Sequence, residues 1–128
     1  MEIDFLSIDD VKLLHADQLA LYGGLEGVRD EAMLDLAIYQ AQSAFSGKYL
    51  HAFPFGMAAA YLYHIVMNHP FIDGNKRTGV VAALAFLDLN GIEIDAAPGE
   101  IYDLTIAVAT SLCEKPEIAK FLANHRKQ

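Results

Sequence analysis

The chain has 128 residues, of which 54% are hydrophobic and 20% charged, with a formal net charge of −8 at neutral pH. This composition is typical of a globular protein and argues against disorder. The length fits one domain with a real hydrophobic core. Because no repeat, low-complexity tract or Pro/Ser-rich linker divides the sequence, we predict a single domain over residues 1–128.

The acidic charge disfavours nucleic acid as a ligand, because an acidic surface repels phosphates. Positive charge clusters only at Lys76-Arg77 and in the tail at residues 125–127, so we expect no nucleic-acid partner. The one cysteine, Cys113, cannot form an internal disulfide, which suits a reducing cytoplasm. We expect it to be a small core residue.

The N-terminal residues 1–4 are acidic and lack the basic region of a signal peptide. The longest apolar runs are interrupted by His64 and Asp88 and fall short of the ~20 residues that a membrane span needs. The sequence therefore predicts a soluble, cytoplasmic protein with no membrane partner.

Two helices are predicted in the first third of the chain. Ser7 with Asp10 resembles an N-cap followed by an acidic first turn, and Gly23-Gly24 ends that helix. Asp30 can cap the second helix. The apolar positions that define them are Val11, Leu14, Leu19 and Leu21 in the first, and Met33, Leu36, Ala37, Ala41 and Ala44 in the second.

The apolar residues in positions 45–54 follow neither a helical nor a strand period, so this segment is predicted to form an aromatic-rich loop. A third helix over residues 54–68 is apolar on most faces and is therefore expected to be central. Pro70 halts it, because the residue before a proline is pushed out of the α region. The next helix spans residues 75–89 and ends at Asn90-Gly91, a suitable left-handed C-cap.

The C-terminal third is predicted to be mostly helical. Residues 92–95 alternate between apolar and acidic side chains, as a short β-strand with one buried face would. Pro98 suits the first turn of a helix running to about Cys113, and Pro116 likewise starts a last one. The predicted class is all-α, with five or six helices and at most a short β element.

Chemically informative residues are concentrated in residues 69–77, His-Pro-Phe-Ile-Asp-Gly-Asn-Lys-Arg. His69 can act as a general base, because imidazole accepts a hydroxyl proton near neutral pH. Asp73 offers the hard oxygen ligands that Mg²⁺ takes together with substrate phosphates. Phe71 is expected to anchor the loop in the core and so hold its neighbours still.

The second half of this stretch suits an anion. Gly74 allows a tight turn and close approach to a ligand. Asn75 can cap the following helix and donate an amide N–H to a phosphate oxygen. Arg77 presents a fork for bidentate phosphate binding, with Lys76 as a more mobile charge. Each of these residues alone is commonly structural. Together they supply the base, metal ligand and anion site that phosphoryl or nucleotidyl transfer requires.

The stretch resembles the signature of the Fic/Doc family, His-Pro-Phe-x-(Asp/Glu)-Gly-Asn-x-Arg, and every fixed position matches. Residues 22–30 and 86–91 resemble the short Doc (death-on-curing) branch, so that the resemblance covers most of the chain. It implies a compact Fic-type helical bundle with this loop between two central helices.

Two positions separate activities within the family. AMP-transferring members usually carry glycine where Lys76 stands and a second arginine where Val80 stands. Both departures are similar to those of Doc-type toxins. The resemblance implies that such toxins bind the nucleotide in a reversed sense and move its terminal phosphate onto a threonine of elongation factor Tu, which stops translation. It also implies ATP as donor and Mg²⁺ as cofactor.

The resemblance also implies a partner. Doc-type toxins are held in check by a small antitoxin of the Phd type, encoded beside them, whose disordered tail is expected to fold as a helix into an apolar groove. The internal inhibitory pattern of other Fic proteins, (Ser/Thr)-x-x-x-Glu-(Gly/Asn), fails here because Lys115 follows Thr110–Glu114. Lys48 and Tyr49 fall where the target-docking flap of the family would lie.

Other functions stay open at this point. A Fic-type AMP transferase is one alternative, and a catalytically quiet partner-binding module is another. A metal-dependent phosphohydrolase ranks last, because the multiple His/Asp ligands of such sites are absent from the sequence. His64 is expected to be a core histidine, and nothing in the sequence ties His15 to the loop.

Overall fold

The structure is a computed structural model that describes residues 2–128. Within these residues the chain forms six α-helices, and the predicted all-α class is confirmed. The helices, numbered in chain order, are α1 (Ile8–Tyr22), α2 (Glu31–Tyr39), α3 (Phe55–Asn68), α4 (Asn75–Leu89), α5 (Pro98–Ala109) and α6 (Lys115–Asn124). The short β element is a hairpin in which β1 (Ala44–Phe45) pairs antiparallel with β2 (Lys48–Tyr49).

The predicted helix starts are confirmed by their hydrogen bonds. At α1 the Ser7 hydroxyl accepts from the Asp10 N–H at 3.0 Å, and the Asp10 carboxylate accepts from the Ser7 N–H at 2.9 Å. At α2 the Asp30 carboxylate accepts from the Met33 N–H at 3.1 Å. These side chains satisfy N–H groups that the first helical turn leaves without partners.

Two helix ends differ from the prediction. The helical region after Asp30 does not reach Ala44, because α2 ends at Tyr39, a 3₁₀ turn follows over Gln40–Gln42, and Ala44 belongs to β1. The helix from Pro98 stops at Ala109 rather than near Cys113, since Ser111 takes a left-handed conformation with φ 62°. The expected strand at residues 92–95 is reduced to one bridge, between Ile94 and Arg126.

Helix α3 is central, as predicted, and packs against α2, α4 and α6. Eight of its residues are buried. The contact between α3 and α4 depends on Gly79, since a β-carbon there would lie 2.9 Å from Val66 Cγ2 and 3.2 Å from the Leu62 carbonyl oxygen. This close packing fixes α3 and α4 relative to each other, and so holds the two ends of the loop between them.

Two further residues lie as predicted within this core. Cys113 is 7% exposed, and burial raises the pKa of its thiol. Phe71 is 1% exposed. No helix within residues 2–128 combines the length and the apolar character that a bilayer crossing requires.

Candidate functional site

The site is built on residues 69–74, which join α3 to α4. Helix α3 ends at Asn68, and His69 takes a left-handed conformation with φ 48° and ψ 53°. Glycine at 74, with φ 79°, then forms the N-terminal boundary of α4. We call residues 69–74 the site loop.

A second segment runs along the site loop. Residues 23–30, which connect α1 to α2 and which we call the arm, pair with it through the backbone. The Ile72 N–H donates to the Gly27 carbonyl at 3.0 Å, and Val28 forms an antiparallel bridge with Phe71. The sequence resembled the family in this segment, but its contact with the loop was not predicted.

The arm sets the electrostatics of Asp73. One carboxylate oxygen accepts from the Leu25 N–H at 3.1 Å, and the other accepts from the Gly74 N–H at 2.9 Å. These two backbone hydrogen bonds lower the pKa of Asp73, with a smaller contribution from the positive charge of Arg77. Since hydrogen bonding favours the charged form, Asp73 is a carboxylate at neutral pH.

The surroundings of Asp73 fit Mg²⁺, the ion that the family resemblance implies. The carboxylate is exposed, and the residues described contain no cluster of three His, Cys, Asp or Glu side chains around it. Mg²⁺ characteristically uses one or two carboxylates and completes its shell with water and substrate phosphates. A single exposed, ionised carboxylate beside an anion site therefore suits this ion.

His15 supports the same loop from α1. Its Nε2–H donates to the Asp73 carbonyl oxygen at 2.8 Å, and its ring stacks on Phe71 with centroids 3.8 Å apart and an interplanar angle of 7°. Nothing in the sequence connects His15 with the loop, because His15 and Asp73 are 58 positions apart and meet only in the fold. Phe71 anchors the loop in part through this stack.

Asn75 closes the loop rather than capping α4. Its Oδ1 accepts from the Phe71 N–H at 2.9 Å, and its Nδ2 donates to the Phe71 carbonyl at 3.0 Å. The cap position belongs to Gly74, and no side chain accepts from the N–H groups of the first turn. The predicted capping role of Asn75 is therefore wrong, while its second amide N–H leaves the predicted phosphate contact open.

The start of α4 has the properties of an anion site. The first hydrogen bond of the helix comes from the Thr78 N–H, so that the N–H groups of Asn75, Lys76 and Arg77 have no acceptor within residues 2–128. Neither Lys76 nor Arg77 forms an ion pair with a described residue. The Arg77 guanidinium lies 4.9 Å from the ring centroid of Tyr22. Free N–H groups and free cations at a helix N-terminus attract phosphate.

These groups face one open cleft of about 1050 Å³. The predicted site residues on its wall are His69, Asp73, Gly74, Asn75, Lys76 and Arg77. Helix α5 contributes a more apolar part of the lining, formed by Pro98, Ile101, Tyr102, Thr105 and Ile106. Val80 and Val81 of α4 also line the cleft. The α5 wall was not foreseen, because nothing in its sequence marks it as part of a site.

Lys48 and Tyr49 lie elsewhere. They are exposed residues of β2, just before the start of α3, whereas His69 follows the end of α3. Neither Lys48 nor Tyr49 lines the cleft that His69 faces. Tyr49 packs against Phe5, with ring centroids 5.7 Å apart. The target-docking role of Lys48 and Tyr49 stays a prediction.

Comparison with known proteins identifies the chain's relatives. A model of the Fic/DOC family matches residues 5–87, which contain the arm, the site loop and most of α4. The chain is 38% identical over 124 residues to "Toxin Doc" of Mycolicibacterium smegmatis, covering 94% of this chain and 92% of that protein. It is 32% identical over 117 residues to "Protein kinase doc" of Escherichia phage P1, covering 91% of each chain. The chain belongs to the Fic/Doc family, in its Doc branch.

Proposed function

We propose that this chain is a Doc-like toxin that transfers the terminal phosphate of ATP to a protein hydroxyl. The observation that carries the proposal is the shared cleft wall, in which His69, Asp73 and the free N-terminus of α4 face the same space. Phosphoryl transfer depends mainly on positioning and on stabilising charge, and this wall combines a base, a carboxylate and an anion site.

Each residue has a role in the proposed reaction. The target hydroxyl oxygen forms a bond to the terminal phosphorus, the bond from phosphorus to the bridging oxygen breaks, and ADP leaves. His69 takes the hydroxyl proton. The N–H groups of the first turn of α4, together with Lys76 and Arg77, bind phosphate oxygens. Asp73 would hold Mg²⁺, and the bound ion would neutralise phosphate charge.

Val80 supports kinase chemistry over AMP transfer through its position in the cleft, and Lys76 supports it through the family resemblance alone. Val80 follows Arg77 by three residues, and residues so spaced share a helix face. Val80 lines the cleft together with the apolar residues of α5. An apolar surface at this position suits a nucleoside better than phosphates, consistent with a nucleotide that is bound with only its terminal phosphate at the site loop.

Phosphate transfer and AMP transfer differ in which phosphate of ATP reaches the target protein. We expect label to pass from γ-labelled ATP to elongation factor Tu, the acceptor that the family resemblance implies, in the presence of Mg²⁺. Transfer from α-labelled ATP would replace the proposal by AMP transfer. Absence of both transfers, with toxicity unaffected by changes at His69, would favour a partner-binding module without catalysis.

A histidine pair provides the control. His69→Ala is expected to lower transfer by about two to four orders of magnitude, which is the range for loss of a general base. His51→Ala removes a histidine that does not line the cleft and should retain activity. Equal activity of the two variants would remove His69 from the mechanism.

The proposal includes a cytoplasmic location, since elongation factor Tu acts there, and a Phd-like antitoxin. Exposed apolar side chains on α2, at Met33, Leu36 and Tyr39, are spaced to receive an apolar helix. A small protein encoded beside this gene should bind the purified chain and suppress its toxicity. Leu36→Glu should weaken that binding without changing transfer activity, and unchanged binding would exclude α2 as the contact.

A further inference from the structure

One residue of the arm contacts three consecutive carbonyl groups at the end of α3. The Arg29 Nε–H donates to the His69 carbonyl at 2.6 Å, and its Nη2–H donates to the Asn68 carbonyl at 2.8 Å. Its backbone N–H donates to the Pro70 carbonyl at 2.7 Å. The last carbonyls of a helix have no partner within the helix, and a cation there is favourable for the helix dipole.

The conformation of His69 needs such support. Its φ of 48° and ψ of 53° are left-handed, where the β-carbon of an L-residue crowds the following carbonyl oxygen. Pro70 disfavours the right-handed α conformation at this position, so extended backbone is the ordinary alternative. An extended His69 would turn its carbonyl away from the Arg29 guanidinium and move the imidazole relative to Asp73.

We propose that Arg29 is a positioning residue that holds His69 in its left-handed conformation and so keeps the imidazole in place as a base. The planar guanidinium suits this role, because two of its N–H groups reach two successive carbonyls at once. The catalytic part of the inference rests on the proposed function, whereas the conformational part does not.

Phosphate binding by Arg29 is the competing role. Arg29 does not line the cleft, in contrast to Arg77, and its Nε and Nη2 groups already donate to carbonyls. It forms no ion pair with any residue from 2 to 128. The two roles predict different kinetics, since a positioning residue changes kcat and a phosphate ligand changes the KM for ATP.

The kinetic experiment compares Arg29→Ala, Arg29→Lys and Arg126→Ala in phosphate transfer to elongation factor Tu. Arg126 is an exposed arginine that does not line the cleft, so its variant should match the wild type. For Arg29→Ala we expect kcat about ten- to a hundredfold lower with the KM for ATP unchanged, the range that a misplaced catalytic group produces. Arg29→Lys restores one donor and the charge and should recover part of the loss.

A second readout does not need activity. In ¹³C,¹⁵N-labelled protein, the ¹³Cα and ¹³Cβ chemical shifts of His69 distinguish left-handed from extended backbone. They should change toward extended values in Arg29→Ala, less so in Arg29→Lys, and not at all in Arg126→Ala. If Arg29→Ala does not fold, Arg29→Lys is compared with the wild type in both the kinetic and the chemical-shift experiment.

The outcomes separate the inference from the proposed function. A raised KM with unchanged kcat would overturn the inference by assigning Arg29 to the ligand. Left-handed His69 shifts retained in a folded Arg29→Ala variant would also overturn it, whatever the activity. Where Arg29→Ala does not fold, His69 shifts in Arg29→Lys that are identical to those of the wild type would overturn it. If the wild type transfers no phosphate, the proposed function fails, and the shifts alone still decide whether Arg29 holds His69.

Discussion

The Nε2–H of His15 donates a 2.8 Å hydrogen bond to the backbone carbonyl of Asp73. Through this bond α1 contacts the residue whose carboxylate faces the cleft, while the arm contacts the carboxylate itself through the Leu25 N–H. The backbone and the side chain of Asp73 are thus fixed from two different elements. Residues positioned in this way keep their geometry when a ligand arrives, which reduces the reorganisation that catalysis requires.

Substitutions at His15 separate its hydrogen bond from its stacking. His15→Phe keeps a ring against Phe71 but leaves the Asp73 carbonyl without its donor, so we expect the free energy of unfolding to fall by about 1–3 kcal/mol. His15→Ala also loses the stack and should cost about 1 kcal/mol more. Urea unfolding measures both. Equal stability of His15→Phe and the wild type would contradict a role for the hydrogen bond.

Asn75→Asp tests the closure of the site loop. Aspartate keeps an acceptor for the Phe71 N–H but loses the N–H that donates to the Phe71 carbonyl. The new charge also opposes anion binding at α4. We expect a loss of about 1–3 kcal/mol in unfolding free energy and a higher KM for ATP. Gln128→Glu adds the same charge at the exposed residue 128 and serves as control. If it changes stability and the KM for ATP as much as Asn75→Asp does, the effect of Asn75→Asp comes from net charge alone.

Gly24→Ala and Gly23→Ala form a matched pair in the arm. A β-carbon at Gly24 would lie 2.8 Å from Leu19 Cδ2 and 2.9 Å from an Asp73 carboxylate oxygen, whereas one at Gly23 meets nothing within 4 Å. Both positions have positive φ, at 130° and 80°, so both variants carry backbone strain.

Only the Gly24 variant is expected to displace the Asp73 carboxylate. We therefore expect a raised Mg²⁺ requirement in the transfer assay for Gly24→Ala, beyond any change in Gly23→Ala. The measurement is activity as a function of Mg²⁺ concentration. Identical Mg²⁺ dependence of the two variants would show that contact with Asp73 is unimportant.

We expect His64 to make stability dependent on pH. Its Nε2 accepts from the Lys115 ammonium at 2.9 Å, which fits the predicted structural role, and His51 and Tyr63 also face it. Burial, then the charge of Lys115, lowers the pKa of His64 from 6.5 to about 4. Between these values the unfolded chain binds a proton that the folded protein does not, so stability falls as the pH drops from 6.5 toward 4.

The variant His64→Gln keeps an acceptor for Lys115 but does not titrate. Between pH 7.5 and pH 5 the wild type should lose up to about 2 kcal/mol more unfolding free energy than His64→Gln. Urea unfolding at the two pH values measures the difference. A parallel decline of both proteins would contradict a half-buried His64 that stays neutral in the folded protein.

Helix starts were predictable from the sequence, and helix ends were less so. Ser7, Asp10 and Asp30 form hydrogen bonds with backbone N–H groups only three residues away. Local chemistry therefore fixes the starts of α1 and α2. The end of α2 depends instead on its transition into the hairpin, and residues 92–95 pair with the distant Arg126. Contacts of that kind leave no periodic signal in the segment itself.

The sequence by itself identified the residues that form the site loop and the first turn of α4, because the signature of residues 69–77 is contiguous and each residue type has a restricted set of uses. It also determined the placement of that loop between two helices. Only the tertiary structure decided what holds the loop in place. His15, Leu25 and Arg29 reach it from 40 to 58 positions away, and these contacts exist only because the close packing of the helices brings α1 and the arm against the loop.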